Sequence, residues 1–156
     1  MAEGPRWIGV EPSVWFLVFH ERSCRPWLNR RWVGRFKHVS AYGYLPDSRV
    51  WVFYDVMLGR TRVAVLPDGP TAEAAVRDLE AEAVTLVMKP RGDRRHRLRW
   101  AFYCVPAMAH LVGLETAAVR PDGFFRACLA AGADVADWSG AGCGDGSSEQ
   151  AEPERV

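Results

Sequence analysis

Residues 36–57 read FKHVSAYGYLPDSRVWVFYDVM, and this stretch decides the fold. Its two halves, 36–45 and 49–57, are rich in β-branched and aromatic residues, which favour strands. Pro46, Asp47 and Ser48 lie between the halves and supply the chemistry of a turn. Two strand-forming runs joined by a short turn predict an antiparallel hairpin.

Similar patterns predict the elements on either side of the hairpin. Further strands are expected at 13–19, 61–66 and 83–88. Helices are expected at 71–80 with Thr71 as the capping residue, at 104–111 ending at Gly113, and at 120–129 ending before Gly132. This order predicts an α+β fold in which a small antiparallel sheet packs against a few helices.

Length and composition indicate one globular domain. The chain has 156 residues, of which 49% are hydrophobic and 25% charged, and it can bury a sizeable core. We expect a single domain over residues 1–138. Residues 139–156 are rich in Gly, Ser and acids, and we expect them to form a disordered tail.

Charge and hydropathy indicate which partners and compartment to expect. The 20 basic and 19 acidic residues leave a net charge of +1, so nothing in the charge balance demands a nucleic acid or an anionic membrane. The N-terminus lacks the pattern of a signal peptide, and no stretch approaches about 18 uninterrupted apolar residues. We therefore expect a cytoplasmic protein with reduced thiols and no membrane span.

The cysteines point to one candidate nucleophile. The four of them, Cys24, Cys104, Cys128 and Cys143, are scattered without the spacing of a zinc site, so no metal is predicted. Cys104 stands where a helix should begin, and the positive end of a helix dipole stabilises a thiolate there. A cysteine in such a place is nevertheless more often a small buried hydrophobic residue.

A cysteine nucleophile needs an imidazole, and His38 is the best placed of the four histidines. It lies on a predicted strand, which is a rigid support, and Asp55 on the paired strand is the natural group to orient it. His110 lies six residues beyond Cys104 and would not face it. His96 falls in an arginine-rich loop, and His20 is isolated in sequence.

Three segments, 36–39, 54–55 and 102–105, resemble the permuted papain-like cysteine hydrolases. These are circularly permuted relatives of the NlpC-type peptidoglycan peptidases and include the lecithin:retinol acyltransferase group. The likeness covers roughly residues 13–130 and extends to uncharacterised bacterial and phage-encoded proteins. It implies a circularly permuted papain-like fold in which His38, Asp55 and Cys104 form the catalytic site, without a cofactor.

The resemblance also implies a substrate class, and the residues around Cys104 depart from the family's usual pattern. It implies hydrolysis or acyl transfer on an amide or ester, with a peptide, cell-wall or lipid-like substrate. Val105 and Pro106 stand where Val-Glu is usual, and Tyr103 stands where a small polar residue is commoner. These departures leave room for a domain that has kept the fold and lost activity.

Two alternatives to catalysis stay open at this point. The domain could be a non-catalytic structural or interaction module, such as a phage or prophage accessory protein. A nucleic-acid accessory role would rest on the arginine-rich loop 91–99, but aromatic residues do not alternate with the basic ones, so no nucleic acid is expected. The oligomeric state is not determined by the sequence.

Overall fold

The computed structural model describes residues 11–22, 34–57, 59–91 and 103–136. Within these ranges the chain is α+β, as predicted, with six strands and three helices. The strands are β1 Trp15–His20, β2 His38–Leu45, β3 Val50–Met57, β4 Arg60–Pro67, β5 Ala83–Met88 and β6 Asp134–Val135. The helices are α1 Pro70–Glu80, α2 Cys104–Val112 and α3 Pro121–Ala130.

The six strands form one antiparallel sheet in the order β4-β3-β2-β1-β5-β6. β1 pairs with β2 on one side and with β5 on the other. Its residues Leu17, Val18 and Phe19 are fully buried. An apolar run that is covered on both faces has to lie inside a sheet, and this explains the continuous hydrophobic stretch in the sequence.

The predicted hairpin is confirmed as β2–β3. Its ladder runs from Leu45 opposite Val50 to Ala41 opposite Tyr54. The turn is closed by the Arg49 N–H, which donates to the Pro46 carbonyl at 3.2 Å. Arg49 itself has a φ of 51°, so a residue other than glycine adopts the left-handed conformation in this turn.

Helices cover both faces of the sheet. The face that carries Leu17, Phe19 and Ala41 packs against α2 and α3 and forms the main core. On the opposite face, α1 is joined to the sheet by Glu80, which accepts hydrogen bonds from the Tyr42 hydroxyl at 2.7 Å and the Thr85 hydroxyl at 2.9 Å. The buried Tyr42 therefore fixes α1 to the centre of the sheet through a satisfied polar group.

Some element boundaries differ from the sequence prediction. α1 begins at Pro70 and no side chain caps it, so the capping role predicted for Thr71 is wrong. Proline suits the first helical position because its φ is already helical and its missing N–H costs no hydrogen bond. β1 continues one residue further than predicted, to His20, and β6 was not predicted because two residues carry no periodicity.

Some predictions fall on parts of the chain outside the described residues. These are the tail at 139–156, most of the basic loop at 91–99, and residues 23–33 of the segment between the first two strands. In the part of the chain that is described, no helix is long and apolar enough to cross a membrane.

α2 and α3 both end at a left-handed glycine, as predicted. After α2, the Gly113 N–H donates to the His110 carbonyl and the Leu114 N–H to the Ala109 carbonyl. After α3, Gly132 and Ala133 make the equivalent pair of bonds. This double pattern is a Schellman motif, in which glycine is favoured because φ is positive, at 66° for Gly113 and 86° for Gly132.

The two glycines differ in their surroundings, and this difference gives a test of the fold. A Cβ at position 113 would lie 2.5 Å from the Arg91 carbonyl oxygen, whereas a Cβ at position 132 meets nothing within 4 Å. We expect Gly132→Ala to lower the free energy of unfolding by about 1 kcal/mol from the backbone conformation alone. Gly113→Ala should cost about 3 kcal/mol because steric overlap is added.

Urea unfolding of the two variants beside the wild-type protein measures both effects. Equal losses at the two positions would mean that Arg91 does not pack against the end of α2.

Candidate functional site

Four chain segments meet at one end of the sheet and form the candidate site. β1 ends there at His20, β2 begins there at His38, and Asp55 lies near the end of β3. Cys104 is the first residue of α2. The three residues predicted from sequence, His38, Asp55 and Cys104, are therefore brought together in space.

His38 and Asp55 form a short, directional pair. The Nε2 atom of His38 donates to Oδ1 of Asp55 across 2.6 Å, and the two side chains are only 21% and 26% exposed. A carboxylate bonded to one ring nitrogen sets both the tautomer and the orientation of an imidazole. Asp55 thus holds the His38 ring in one position and leaves Nδ1 for another partner.

Cys104 is a further neighbour of the His38 ring, and its side chain is close enough to contribute to the raised pKa of His38. Cys104 is buried, with 6% of its surface exposed. The arrangement places a thiol beside a hydrogen-bonded carboxylate–imidazole pair.

The start of α2 adds backbone donors beside the sulfur. Tyr103 precedes the helix in an extended conformation, and no side chain caps the first turn. Pro106 has no N–H, so the N–H groups of Cys104 and Val105 are the first-turn donors next to the thiol. The Tyr103 hydroxyl donates to the Val119 carbonyl at 3.0 Å, which ties the start of α2 to the chain ahead of α3.

His38 lies at the end of the sheet where α2 begins, because it is the first residue of β2. Side-chain alternation places His38 on the side of Ser40 and Tyr42, whereas Cys104 packs in the core on the other side. The ladder with β1 ends at the pair His20 and His38, and just before it the Lys37 N–H donates at 2.8 Å to the His20 carbonyl.

Charge compensation governs the protonation of the pair. Burial by itself lowers the pKa of His38, but hydrogen bonds and charge attraction from Asp55 and Cys104 outweigh it and raise the pKa to about 10. Burial by itself raises the pKa of Asp55, but its bond to His38 and the charge attraction of His38, His20 and Arg62 together outweigh burial and lower the pKa. At neutral pH the pair is an imidazolium bonded to a carboxylate.

Sequence reasoning missed His20, which belongs to the same cluster. Its ring stacks on that of His38 with centroids 5.6 Å apart and 24° between the planes. Its Nε2 shares a 2.8 Å hydrogen bond with the hydroxyl of Ser40, a residue only 2% exposed. Burial and the charge on His38 lower the pKa of His20 to about 4, so its ring is neutral at pH 7.

The signal for His20 lay in strand pairing rather than in any motif. His20 and His38 are directly opposite each other in the β1–β2 ladder. They are far apart in sequence, and a histidine at the end of an apolar run has no local pattern that marks it.

The other histidines and cysteines stay apart from this cluster or lie outside the described residues. His110 is exposed on α2, as expected from its spacing. Cys128 is fully buried in α3, where burial raises its pKa to about 12. Cys24, Cys143 and His96 fall outside the described residues, and within the described ranges no group of three or more metal-ligating side chains could hold a metal ion.

No protein-family model matches the chain, and neither does any curated protein or any solved structure. The geometry defines a partly buried Cys–His–Asp cluster at one end of the sheet.

The charged pair at the site makes stability depend on pH. The folded pKa of His38 lies above its unfolded value of 6.5, so the pair stabilises fully below about pH 6.5 and loses this effect as the pH rises towards 10. The lowered pKa of Asp55 keeps its carboxylate charged down to acid pH. We expect Asp55→Asn to lower the free energy of unfolding by about 2 kcal/mol near pH 6 and by much less at pH 9.5.

Urea unfolding at the two pH values measures this difference. Glu21→Gln is the matched control because Glu21 pairs with Arg35 on the surface, where both side chains are largely exposed. Its effect should stay within about 0.5 kcal/mol at both pH values. A loss from Asp55→Asn that is equal at pH 6 and pH 9.5 would contradict the charged pair.

Proposed function

We propose that this protein is a cysteine-dependent hydrolase or acyltransferase that acts on an amide or ester bond. Cys104 is the nucleophile, His38 is the general base and later the acid, and Asp55 orients His38. The observation that carries the proposal is the 2.6 Å bond from His38 Nε2 to Asp55, together with a Cys104 side chain that lies close enough to the same ring to help raise its pKa.

The chemistry follows from this order of groups. The Cys104 sulfur attacks the substrate carbonyl, and the thiol proton is held on His38. The oxyanion is bound by the N–H groups of Cys104 and Val105 at the start of α2. The imidazolium then protonates the leaving amine or alcohol, which leaves an acyl-enzyme that water or a second acceptor resolves with His38 acting as base.

The order of the residues along the chain supports assignment to a permuted papain-like fold. The resemblance implies a histidine from an early strand, then a polar residue from the next strand, and then a cysteine from a later helix start. On this proposal the substrate is a peptide, a cell-wall component or a lipid-like ester. A cytoplasmic location stays part of the proposal.

A second candidate function is a non-catalytic interaction module, and the burial of Cys104 favours it. A working nucleophile has to meet its substrate, and a thiol exposed by only 6% is poorly placed to do so. The same cluster of charged and polar groups would then hold the sheet end together. The accessibility of Cys104 to reagents of different sizes separates the two functions.

The first experiment measures the iodoacetamide labelling rate of each cysteine from pH 5 to pH 9 by peptide mass spectrometry. We expect Cys104 to label well below pH 8, and His38→Ala to slow it by about tenfold at pH 6.5. Cys128 is the internal reference because it is fully buried. His110→Ala is the matched control, since His110 is exposed on the same helix and should leave the rate unchanged.

The outcome decides between the two functions. Rapid labelling that depends on His38 supports the hydrolase, and a screen of activated esters and amides should then give turnover that Cys104→Ser abolishes. If Cys104 fails to label even with the small reagent methyl methanethiosulfonate, or labels equally fast without His38, the catalytic proposal fails and the interaction module replaces it.

A further inference from the structure

We propose that His20 is a positioning residue of the Cys104–His38 site and that its ring, anchored by Ser40, holds the His38 ring between Asp55 and Cys104. This inference rests on the proposed function, because it concerns the same site. It adds a fourth and a fifth side chain, His20 and Ser40, to the three that the sequence indicated.

The geometry around His38 shows why a further support is needed. Asp55 holds one edge of the ring, at Nε2, and Cys104 also interacts with the ring. Neither contact prevents the ring from tilting about the line that joins the two partners. The ring of His20 lies against the face of His38, with centroids 5.6 Å apart and only 24° between the planes, and so restricts that tilt.

His20 can act as a support because it is itself fixed. It is the last residue of the central strand β1 and stands directly opposite His38 in the ladder. Its Nε2 shares a 2.8 Å hydrogen bond with the hydroxyl of Ser40, and Ser40 is only 2% exposed. A buried side-chain hydrogen bond of this kind locks the rotamer of the ring it holds.

The protonation states of the two rings are compatible with this role. The pKa of His20 is lowered to about 4 by burial first and by the charge of His38 second. A neutral ring stacked on an imidazolium adds no like-charge repulsion at neutral pH. Asp55 also acts on His20 in the opposite sense, but its attraction is the smallest of the three effects.

The chain offers variants that separate stacking from anchoring. His20→Ala removes both the ring and its hydrogen bond to Ser40. His20→Phe keeps an aromatic ring but loses that hydrogen bond. Ser40→Ala keeps the His20 ring but removes the hydroxyl that anchors it. Thr85→Val is the matched control, because it removes another buried hydroxyl from the same sheet whose partner is Glu80 rather than a histidine.

Two readouts report on position rather than on folding alone. The first is the labelling rate of Cys104 with iodoacetamide across the pH range. The second is the downfield proton resonance of the His38 Nε2–H in its bond to Asp55. Thermal unfolding of each variant is recorded in parallel, so that a loss of folded protein is not read as a loss of position.

We expect the variants to slow the labelling of Cys104 to different extents. His20→Ala should slow the labelling of Cys104 by about tenfold near pH 6.5 and broaden or remove the His38 resonance, because a misplaced base loses much of its effect. Ser40→Ala should slow labelling by about threefold. His20→Phe should retain more of the rate than His20→Ala, and Thr85→Val should match the wild-type protein in both readouts.

Several outcomes would overturn the inference. A folded His20→Ala variant whose rate lies within twofold of the wild type removes the positioning role. A His20→Phe variant that is as slow as His20→Ala removes the stacking argument. If His20→Ala does not fold, Ser40→Ala decides, and a wild-type rate with an unchanged His38 resonance in that variant overturns the proposal.

Failure of this inference is distinguishable from failure of the proposed function. If His38→Ala leaves the labelling of Cys104 unchanged in the otherwise wild-type chain, the proposed function fails and the role of His20 fails with it. If His38→Ala slows labelling but the His20 and Ser40 variants do not, the proposed function stands and only the positioning role is lost.

Discussion

The pairing of β1 with two neighbours is the constraint on which the rest of the structure depends. β1 bonds to β2 on one side and to β5 on the other, and its residues Leu17, Val18 and Phe19 are buried on both faces. Its side chains divide between two layers. Leu17 and Phe19 face α2 and α3, while Phe16 stacks on Tyr42 on the side that α1 covers. Helices therefore pack on both layers that this strand and its neighbours present.

The same pairing creates the candidate site. Because β1 and β2 are antiparallel neighbours, the end of one strand and the start of the other lie together, and His20 stands opposite His38. His38 is also the first residue of β2, so it lies at the end of the sheet where α2 begins with Cys104. A charged imidazole can stay in this half-buried position because Asp55 compensates it and because the neighbouring His20 is neutral.

Prediction from the sequence succeeded where the signal is local. The β2–β3 hairpin was recognised from two β-forming runs around a proline-containing turn, and the ends of α2 and α3 from Gly113 and Gly132. These features depend on intrinsic preferences of a few adjacent residues. The same reasoning failed for the start of α1, where the helix begins at Pro70 and Thr71 does not cap it. Adjacent residues can both favour a helix start, so sequence alone does not fix the boundary. It also failed for β6, which exists only through its pairing with β5.

The sequence by itself determined the α+β class, the hairpin, the helix ends and the residue types needed for thiol chemistry, namely His38, Asp55 and Cys104. Only the tertiary structure decided that these three meet, that His20 and Ser40 join them, and that Cys104 is buried. The physical reason is that periodicity and turn chemistry act over a few residues, whereas strand register depends on contacts between distant segments. The protonation of His38 is also decided by the tertiary structure, because it depends on burial and on partners that only the folded chain supplies.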